Sequence, residues 1–418
     1  MLTLEYGLDF DPARDQEFFA ALPPHPAVCL IESKLDSAQP LFIRTQDLRH
    51  RLQRLLGPSD PSSKRLNLRD FAKSVRYRLT ASPFEQTFAY YQNAKELFPT
   101  RYRGMLRMRP PAVLKVSLRN AYPRCYPTRR IPIASNGEPS GGLYFGPFPS
   151  RKAAAAFSER VLDLFKVRRC QIKIRRDPEF PGCIYSEMKM CLAPCFAGCT
   201  KEEYDSEVQR LVSFLETGGS SLRDALEAER NNASEDLDYE KAALLHKKLD
   251  KLDDALRGQP ELPRRLQDLN GVILQRAVAD QSISAYEVRS GRIAEPFELS
   301  FAQLSGEPRS AEQLLREHLE PTVTIIPDSL EPAVQSDARN LSGTSSHSPA
   351  ADLSEHLWLL ARWFYSNPRH GEIFFRTNAW PYRRMMRACA RLLAPPDAAA
   401  GSNQASASHH PDGERKTS

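Results

Sequence analysis

The sequence lacks the segments that carry a protein into or across a membrane. Its start has early acidic residues and no basic region followed by an apolar run, which is not the pattern of a signal peptide. No stretch approaches the roughly 18 consecutive apolar residues that span a bilayer. These absences predict a cytoplasmic protein without a membrane partner, and a length of 418 residues allows about two to four domains.

Acidic residues are scarce between residues 101 and 176. That stretch holds 18 Lys and Arg against Glu138, Glu159 and Asp163, and several tyrosines and phenylalanines lie among the bases. A local excess of positive charge is typical of a surface that binds a polyanion, and aromatic rings add stacking on nucleic-acid bases. The composition therefore favours nucleic-acid binding, although a solvated basic face above aromatic core residues would have the same composition.

The C-x2-C pairs of the commoner zinc sites are missing, but four of the eight cysteines lie within 26 residues. They are Cys170, Cys183, Cys191 and Cys195, in the spacing C-x12-C-x7-C-x3-C. In a chain without secretion signals this clustering indicates a metal rather than disulfides. A metal would also fix the charged, proline-interrupted loop between the first two thiols. Spacing alone leaves zinc, an iron-sulfur cluster and unrelated structural thiols open.

The other four cysteines show no metal-binding pattern. Cys199 follows the cluster as a spare thiol, and Cys29, Cys125 and Cys389 are isolated along the chain. We expect these isolated cysteines to pack as small apolar residues.

Strand and helix signals alternate between residues 27 and 166. Short apolar runs predict strands over 27–31, 41–43, 112–116 and 142–145. Leucines at helical spacing after Asp47, a plausible cap, predict a helix near residues 48–56, and a second helix is expected over 151–166.

Proline is absent from residue 196 to residue 258, and the composition turns acidic there, which predicts helices. We expect breaks at Gly218-Gly219 and near Asn231-Asn232. The second half carries an apolar stripe at i+3/i+4 spacing. Its residues are Tyr239, Ala242, Leu245, Leu249, Leu252 and Leu256. Together with the preceding helix it predicts an αα-hairpin, which must pack either on this protein or on another chain; the residues alone favour packing on this protein.

The remaining sequence is less informative, and it shows no internal repeat. Residues 271–301 alternate like antiparallel strands, with a hairpin turn at residues 289–292. Residues 333–352 have the composition of a linker, residues 353–393 are expected to be helical, and residues 394–418 to be disordered.

Several motifs together resemble the UvrC family of the bacterial UvrABC excinuclease. They are the cysteine spacing, YFGPFPSRKA from Tyr144, CLAPC from Cys191 and LDYEKAA from Leu237, and the likeness covers about residues 20–256. In that family the four cysteines ligate an iron-sulfur cluster, and the hairpin is the UVR motif, which binds the excinuclease component UvrB. The resemblance therefore favours iron-sulfur over zinc and makes the hairpin a partner surface. The residues implied in partner binding are Tyr239, Glu240, Ala242, Ala243, Leu245, Leu249 and Leu252.

The N-terminal region resembles the family's GIY-YIG nuclease domain, which cleaves 3′ of a lesion, but it departs from the catalytic pattern. Such a domain needs tyrosines, a lysine, an arginine and a metal-binding glutamate. The corresponding positions here are Cys29, Leu41, Arg44, Arg51, Leu55 and Tyr90, of which only the arginine of the helix, Arg51, is retained. We therefore expect a degenerate domain without a magnesium site, although Glu85 or Glu96 could stand in for the missing carboxylate.

The family's second nuclease domain, a ribonuclease H-like domain with clustered Asp and His, is expected to be absent. The candidates Asp328, Asp337, Asp352 and His356 lie in or beside the linker-like stretch without strand context.

The predicted fold class is α+β and multidomain. The predicted units are a degenerate GIY-YIG-like α/β domain over 1–105, a basic DNA-binding region over 106–168 and a Cys-rich iron-sulfur segment over 169–200. A helical region follows over 201–258, with the UVR hairpin at 219–256. Then come a C-terminal α+β region over 265–393, interrupted by the linker 333–352, and the tail 394–418.

The sequence predicts a DNA-binding protein of, or related to, nucleotide excision repair that docks on UvrB and does not incise DNA. The residues expected to contact phosphates are Arg51, Arg124, Arg129, Arg130, Arg151 and Lys152. The alternatives are a divergent 3′ DNA endonuclease of the GIY-YIG class and an iron-sulfur redox sensor that inherited the scaffold.

Overall fold

The structure is a computed structural model that describes residues 2–35, 37–58, 66–302, 310–320 and 349–394. Within these ranges no helix is both long enough and apolar enough to traverse a bilayer. In the described part of the chain, helices alternate with three separate sheets, which confirms the α+β class.

The N-terminal unit is an antiparallel sheet between helices. Its elements are β1 (Tyr6–Asp9), α1 (Asp15–Ala21), β2 (Ala27–Ser33), β3 (Leu41–Thr45), α2 (Leu48–Leu56), β4 (Ala72–Leu79) and α3 (Pro83–Leu97). The strand order is β1-β4-β2-β3. The two predicted strands are confirmed, each two residues longer than expected. The predicted cap is also confirmed, since the Asp47 carboxylate accepts a hydrogen bond from the His50 N–H at 2.8 Å.

Alternate residues of β2 face opposite helices, as the strand period requires. Cys29 and Ile31 pack with α1 and α2, whereas Val28 and Leu30 pack with α3. The sheet is therefore covered on both faces.

The middle region is a second antiparallel sheet with one long helix. Its elements are α4 (Tyr102–Leu106), β5 (Ala112–Val116), β6 (Cys125–Thr128), β7 (Leu143–Phe148) and α5 (Arg151–Leu162), and the strand order is β6-β5-β7-β8, where β8 is Arg264–Arg265. Helix α5 is shorter than predicted. It ends at Leu162 because the Leu164 N–H bonds to the Val161 carbonyl, three residues back, and the chain turns to bury Phe165 and Val167.

The cysteine segment that follows has little regular structure. It contains only the single turn α6 (Ile184–Glu187) and a 3₁₀ turn at Pro194–Phe196 before α7 (Lys201–Glu216) begins. Helix α7 starts with a capping box, in which Thr200 and Glu203 each accept the other's backbone N–H.

The predicted αα-hairpin consists of α8 (Ser220–Glu235) and α9 (Tyr239–Leu256). The break at Gly218-Gly219 is confirmed, with φ of +62° and +97°. The break predicted near Asn231-Asn232 is wrong: α8 continues to Glu235, and the turn forms around Leu237, whose φ is +61°. Asp238 then caps α9 by accepting the Lys241 N–H.

The described residues of the C-terminal region form a third antiparallel sheet with three helices. Its elements are β9 (Gly271–Arg276), β10 (Ser282–Arg289), β11 (Arg292–Ile293), β12 (Phe297–Ser300), α10 (Ala311–Leu319), α11 (Pro349–Phe364), β13 (Glu372–Phe375) and α12 (Tyr382–Leu393). The strand order is β11-β10-β9-β13, and β12 also pairs with β10. The turn at residues 289–292 is confirmed by the pairing of Arg289 with Arg292.

Two predictions for this region need correction. Residues 353–393 are not continuously helical, because β13 pairs with β9 between the two helices. The end of the predicted linker, 349–352, belongs to α11, so Asp352 and His356 lie on a helix. Asp328, Asp337, the rest of the linker up to residue 348 and the tail from residue 395 lie outside the described residues.

Two apolar cores cross the predicted domain boundaries. The central core joins α3 and α4 to β9, β10 and α11, and the hairpin core joins β5, β7, α5 and α7 to the hairpin α8–α9. The C-terminal region therefore packs directly on the N-terminal unit.

Candidate nucleic-acid interface and cysteine cluster

A buried arginine ties the cysteine segment to the middle sheet. The Arg168 side chain donates hydrogen bonds to the carbonyls of Tyr122 (2.8 Å), Cys170 (3.2 Å) and Ile172 (3.0 Å). The residue is only 5% exposed. Sequence reasoning missed this role, because one arginine among 18 bases carries no pattern of its own.

The Cys191 thiol lies within electrostatic reach of the thiols of Cys170, Cys183 and Cys195. Cys170, Cys183 and Cys191 are half-buried and Cys195 is buried. Burial raises the pKa of the Cys191 thiol to about 11, the other three thiols raise it further, and the Ala193 N–H, 3.3 Å from its Sγ, acts in the opposite direction. The pKa of Cys195 is also raised, chiefly by burial.

The donor chemistry of this cluster fits a soft metal or an iron-sulfur centre, for which thiolates are the preferred ligands. A bound cation would reverse the shifts just described, because a coordinated thiol is deprotonated. Within the described part of the chain, however, no three His, Cys, Asp or Glu side chains already stand in a metal-binding arrangement. The metal remains a prediction.

The isolated cysteines pack in apolar cores, as predicted. Cys29, Cys125 and Cys389 are at most 4% exposed, and the spare Cys199 is also buried. Burial raises the pKa of the Cys29 and Cys125 thiols to about 12.

The vestigial nuclease positions fall into two groups on opposite faces of the N-terminal sheet. Cys29 and Leu55 are buried in one core with α1 and α2, and Leu41 packs against that core. Arg44 and Tyr90 meet on the other face, where the Arg44 guanidinium lies 4.8 Å from the centre of the Tyr90 ring. The structure therefore does not bring all the positions together.

Tyr90 is held in place by its neighbours on β3. Its ring stacks on Phe42 with the ring centres 4.6 Å apart, and its hydroxyl donates to the Phe42 carbonyl at 3.3 Å. Burial raises the pKa of this phenol, and Arg44 lowers it by a smaller amount. Tyr90 thus serves as packing where a metal-binding carboxylate was expected in the family pattern.

The two possible substitutes for that carboxylate, Glu85 and Glu96, differ in their surroundings. Glu85 is 7% exposed, accepts the Ala81 N–H at 2.8 Å and lies 3.8 Å from Arg78. Burial raises its pKa, although the Ala81 N–H and Arg78 lower it. Glu96 is exposed near the end of α3.

The predicted phosphate-binding residues lie mainly around the middle sheet. Arg124 is next to β6, Arg129 and Arg130 are exposed just after that strand, and Arg151 and Lys152 are exposed in the first turn of α5. None of the five forms an ion pair with a described carboxylate. The Arg124 guanidinium lies 4.2 Å from the centre of the Tyr126 ring.

Arg51 stands apart from this group. It is half-buried on α2, and its Nε has no hydrogen-bond partner within the described ranges. Since α2 belongs to the N-terminal core, Arg51 does not share an element with the other five residues.

Two further cations converge beside the middle sheet and were not singled out from the sequence. A Cβ placed on Gly141 would lie 3.5 Å from Lys115 Nζ and 3.6 Å from Arg119 Nε. Lys115 Nζ also lies 5.1 Å from the centre of the Tyr144 ring. The signal was the single basic residue in the apolar strand β5, which points away from the core.

The apolar stripe of the hairpin mostly faces this protein's own core. Leu245, Leu249 and Leu252 are at most 5% exposed and belong to the hairpin core, and Ala242 is half-buried. For these leucines the internal packing favoured by the residues alone is confirmed, whereas their assignment as partner contacts stays a prediction. Tyr239, Glu240 and Ala243 remain exposed.

Exposed apolar side chains also lie at the start of α9. Leu237, Tyr239 and Leu244 are 68%, 67% and 61% exposed. Such large exposed apolar residues close together in sequence are candidates for a protein contact.

Comparison with known proteins identifies the middle region. Residues 112–214 match the family model of the UvrC/Cho excinuclease middle domain. The UvrABC system protein C of Ruminiclostridium cellulolyticum is 31% identical over 181 residues, which are 43% of this chain and 28% of that protein. The corresponding protein of Chlamydia caviae is 27% identical over 278 residues, 65% of this chain and 44% of that protein.

The chain spans less than half the length of these relatives. No solved structure matches it. The matched middle domain contains β5 to β7, α5, the four clustered cysteines and most of α7, so it includes both the basic surface and the cysteine segment. The likeness to UvrC proteins is therefore carried by the middle region of the chain, residues 112–214, which is similar to the UvrC/Cho middle domain.

Proposed function

We propose that the chain is a DNA-binding protein of nucleotide excision repair that docks on the excinuclease component UvrB and does not itself incise DNA. The observation that carries the proposal is the group of basic side chains around β6, in the turn after it and at the start of α5. These cations have no carboxylate partner among the described residues, so their charge is available to a ligand. They all lie within the part of the chain that matches the UvrC middle domain.

Phosphate neutralisation is the chemistry that such a surface can perform. Each arginine or lysine that meets a phosphate releases condensed counterions, which provides affinity without sequence preference. Lys115 and Arg119, which converge beside Gly141, extend the same positive surface. We infer that Arg124, Arg129, Arg130, Arg151 and Lys152 contact the DNA backbone.

We infer that Cys170, Cys183, Cys191 and Cys195 hold an iron-sulfur cluster, with zinc as the alternative. When bound, such a centre would cross-link a segment that otherwise has almost no regular structure. The influence of the other three thiols on the pKa of Cys191 and the N–H of Ala193 directed at the Cys191 sulfur support this inference.

Docking on UvrB is assigned to the exposed side of the hairpin. Leu237, Tyr239 and Leu244 offer apolar area there, and Glu240 and Ala243 lie beside them. Leu245, Leu249 and Leu252, on the buried side of α9, would hold this helix against the hairpin core.

The absence of incision rests on the chemistry of the N-terminal positions. Cys29, Leu41 and Leu55 cannot orient a water nucleophile through a phenolic hydroxyl, and Tyr90 offers no carboxylate to a divalent ion. The alternative, a divergent 3′ DNA endonuclease built on Glu85 and Arg51, has less support, because Glu85 is buried and already bonded to the Ala81 N–H.

The test incubates the full chain with an end-labelled damaged duplex, the UvrA and UvrB proteins, and magnesium. We expect a retained complex and no cleavage products. A Glu85→Gln variant is the matched control. Cleavage by the unaltered chain that disappears in this variant would overturn the proposal in favour of the endonuclease, and failure to retain the duplex would remove the DNA-binding role.

A further inference from the structure

A cavity with a volume of about 550 Å³ lies beside α11, between this helix, the segment after α4 and the turn after β6. Three stretches that are distant in sequence therefore build one concave site. Its volume is within the range of roughly 300–1,000 Å³ typical of small-ligand sites.

The walls of the cavity carry unpaired positive charge. Arg109, Arg129 and Arg130 line it and are exposed, and none pairs with a described carboxylate. Arginine presents a planar fork of donors that matches phosphate oxygens. The cavity is therefore suited to an anionic group with several oxygens.

The acid in the lining does not cancel this charge. Glu355 also borders the cavity, but it accepts hydrogen bonds from Tyr102 Oη and Arg103 Nε, both at 2.6 Å, and from Tyr91 Oη at 2.8 Å. Burial raises the pKa of Glu355, but these hydrogen bonds together outweigh burial, so the pKa lies below its ordinary value. Its oxygens are occupied and its charge is offset by Arg103.

Apart from Ser354, the rest of the lining is apolar and includes an aromatic face. Trp358 on α11 is half-buried, and Met108 and Ile131 lie near it against the central core. An indole face with aliphatic neighbours stacks well on a flat heterocycle, and stacking of this kind accepts any base. A ligand with an aromatic ring and an attached phosphate matches both halves of the site.

We propose that this cavity receives one unstacked nucleotide of a DNA strand, with its base against Trp358 and its neighbouring phosphates against Arg109, Arg129 and Arg130. The inference rests on the DNA binding proposed above and adds a specific subsite to it. Arg129 and Arg130 directly follow β6, and Arg124 directly precedes it and continues the basic surface. A DNA strand bound along that surface therefore passes the mouth of the cavity. Unpaired nucleotides cost least to extrude, which would direct the protein to distorted DNA.

The test compares a fully paired duplex with the same duplex carrying one bulged thymidine. Fluorescence anisotropy of an end label gives both affinities for the full chain. We expect the bulged duplex to bind about tenfold more tightly, since stacking of one base contributes an effect of this size. Permanganate oxidation of the bulged thymine should fall in the complex, because the indole shields the face that the oxidant attacks.

Two variants assign the effect to the cavity. Trp358→Leu should abolish the preference for the bulge and leave the affinity for paired DNA within about twofold, whereas Trp358→Phe should retain the preference. Ala351→Phe, which fills the cavity from the first turn of α11, should act like the leucine variant even if Trp358→Leu proves unstable. Arg383→Ala, which removes an exposed charge on α12, should leave the preference unchanged.

The outcomes separate this subsite from the proposed function. Binding of both duplexes without a preference for the bulge, or a preference that survives both cavity variants, would overturn the subsite and leave DNA binding intact. No binding of either duplex would overturn the proposed function. Binding of free thymidine 5′-monophosphate to the full chain is measured as well. If this nucleotide binds in a Trp358-dependent manner while the bulged duplex shows no preference, the assignment of the cavity to a DNA strand is overturned.

Discussion

Arg168 shows how one buried cation can organise an irregular segment. Its side chain donates to three backbone carbonyls, two of which belong to the cysteine segment. Without it, these carbonyls would lose their partners, and each unsatisfied group that is partly shielded from water costs free energy. The position of the first thiol therefore depends on a residue two positions before it.

We predict that Arg168→Leu lowers the free energy of unfolding by about 2–3 kcal/mol, because hydrogen bonds from a charged donor are lost inside the protein. Urea denaturation followed by circular dichroism measures the change. Arg175→Leu, which removes an exposed charge from the same segment, is the matched control and should be nearly neutral. Equal stabilities of the two variants would contradict the role given to Arg168.

Asp352 and Glu355 on α11 join the C-terminal region to α3 and α4. The Lys95 ammonium lies 2.8 Å from Asp352 and 3.6 Å from Glu355. His356, whose Nε2 lies 3.7 Å from the carboxylate, lowers the pKa of Asp352 below its ordinary value, and the hydrogen bond from Lys95 adds to this, although burial opposes the shift. A carboxyl with a lowered folded pKa stabilises the fold above its unfolded pKa of about 4 and loses that contribution as the pH falls.

We therefore predict that Asp352→Asn makes the protein less sensitive to acid. Between pH 7 and pH 3 the free energy of unfolding should fall more steeply for the unaltered chain than for the variant, because only the former has this carboxylate to protonate. Denaturant titrations at both pH values measure the difference. Asp280→Asn, at a side chain that is 88% exposed, should leave the pH dependence unchanged. Parallel pH profiles for Asp352→Asn and the unaltered chain would refute the prediction.

At the scale of elements, α9 separates a supporting face from an exposed one. Leu249 is 5% exposed within the hairpin core, whereas Leu244, just over one turn away, is 61% exposed. The same residue type thus has two different environments in one helix.

We predict that Leu249→Ala lowers the free energy of unfolding by about 2–5 kcal/mol, because it leaves a cavity in the core. Leu244→Ala should change it by less than about 0.5 kcal/mol. If Leu244 belongs to the docking surface, its substitution should instead weaken the binding of UvrB, which calorimetry measures. A large loss of stability in Leu244→Ala would show that the exposed face is assigned to the wrong side.

Local signals in the sequence were sufficient for elements whose partners are near in the chain. The strand pair β9–β10, the turn after β10 and the helices α8 and α9 follow from periodicity and turn residues. Strand β13 was missed because its four residues lie between two helices, and only its pairing with β9, about a hundred residues earlier, makes it a strand. Tertiary contacts of this kind leave no local trace.

The same limit applies to the sites. The excess of bases around residues 101–176 pointed to Arg129 and Arg130, and the spacing pointed to the four cysteines. No local signal places Arg109 and Trp358 in one cavity, because the helix that carries Trp358 is almost 250 residues further along. The burial of the leucines of α9 likewise depends on contacts with α5 and α7.

At the scale of the whole molecule, the net charge of +6 conceals an uneven distribution. The excess of 15 positive charges between residues 101 and 176 is only partly offset by the other residues, whose charges sum to −9. Association with a polyanion should therefore depend on this surface and on ionic strength, rather than on the overall charge.

We predict that replacing Arg129 and Arg130 together with glutamine reduces the slope of log affinity against log salt concentration by about 2, since each phosphate contact contributes about 0.9. Binding of an undamaged duplex at several salt concentrations measures the slope. Replacing Arg383 and Arg387 on α12, both exposed, removes the same charge elsewhere and should leave the slope nearly unchanged. An identical decrease in both double variants would mean that the effect is one of total charge.

Strand β8 follows the hairpin in the chain, yet it pairs with β7 of the middle sheet through Arg264 and Arg265. A recombinant fragment that stops after α9 would remove this strand and leave the N–H and C=O groups along one border of β7 without partners. Exposed strand borders of that kind promote aggregation. Expression of the middle domain by itself should therefore yield oligomers on gel filtration, whereas a boundary placed beyond residue 265 would keep the sheet closed on that side.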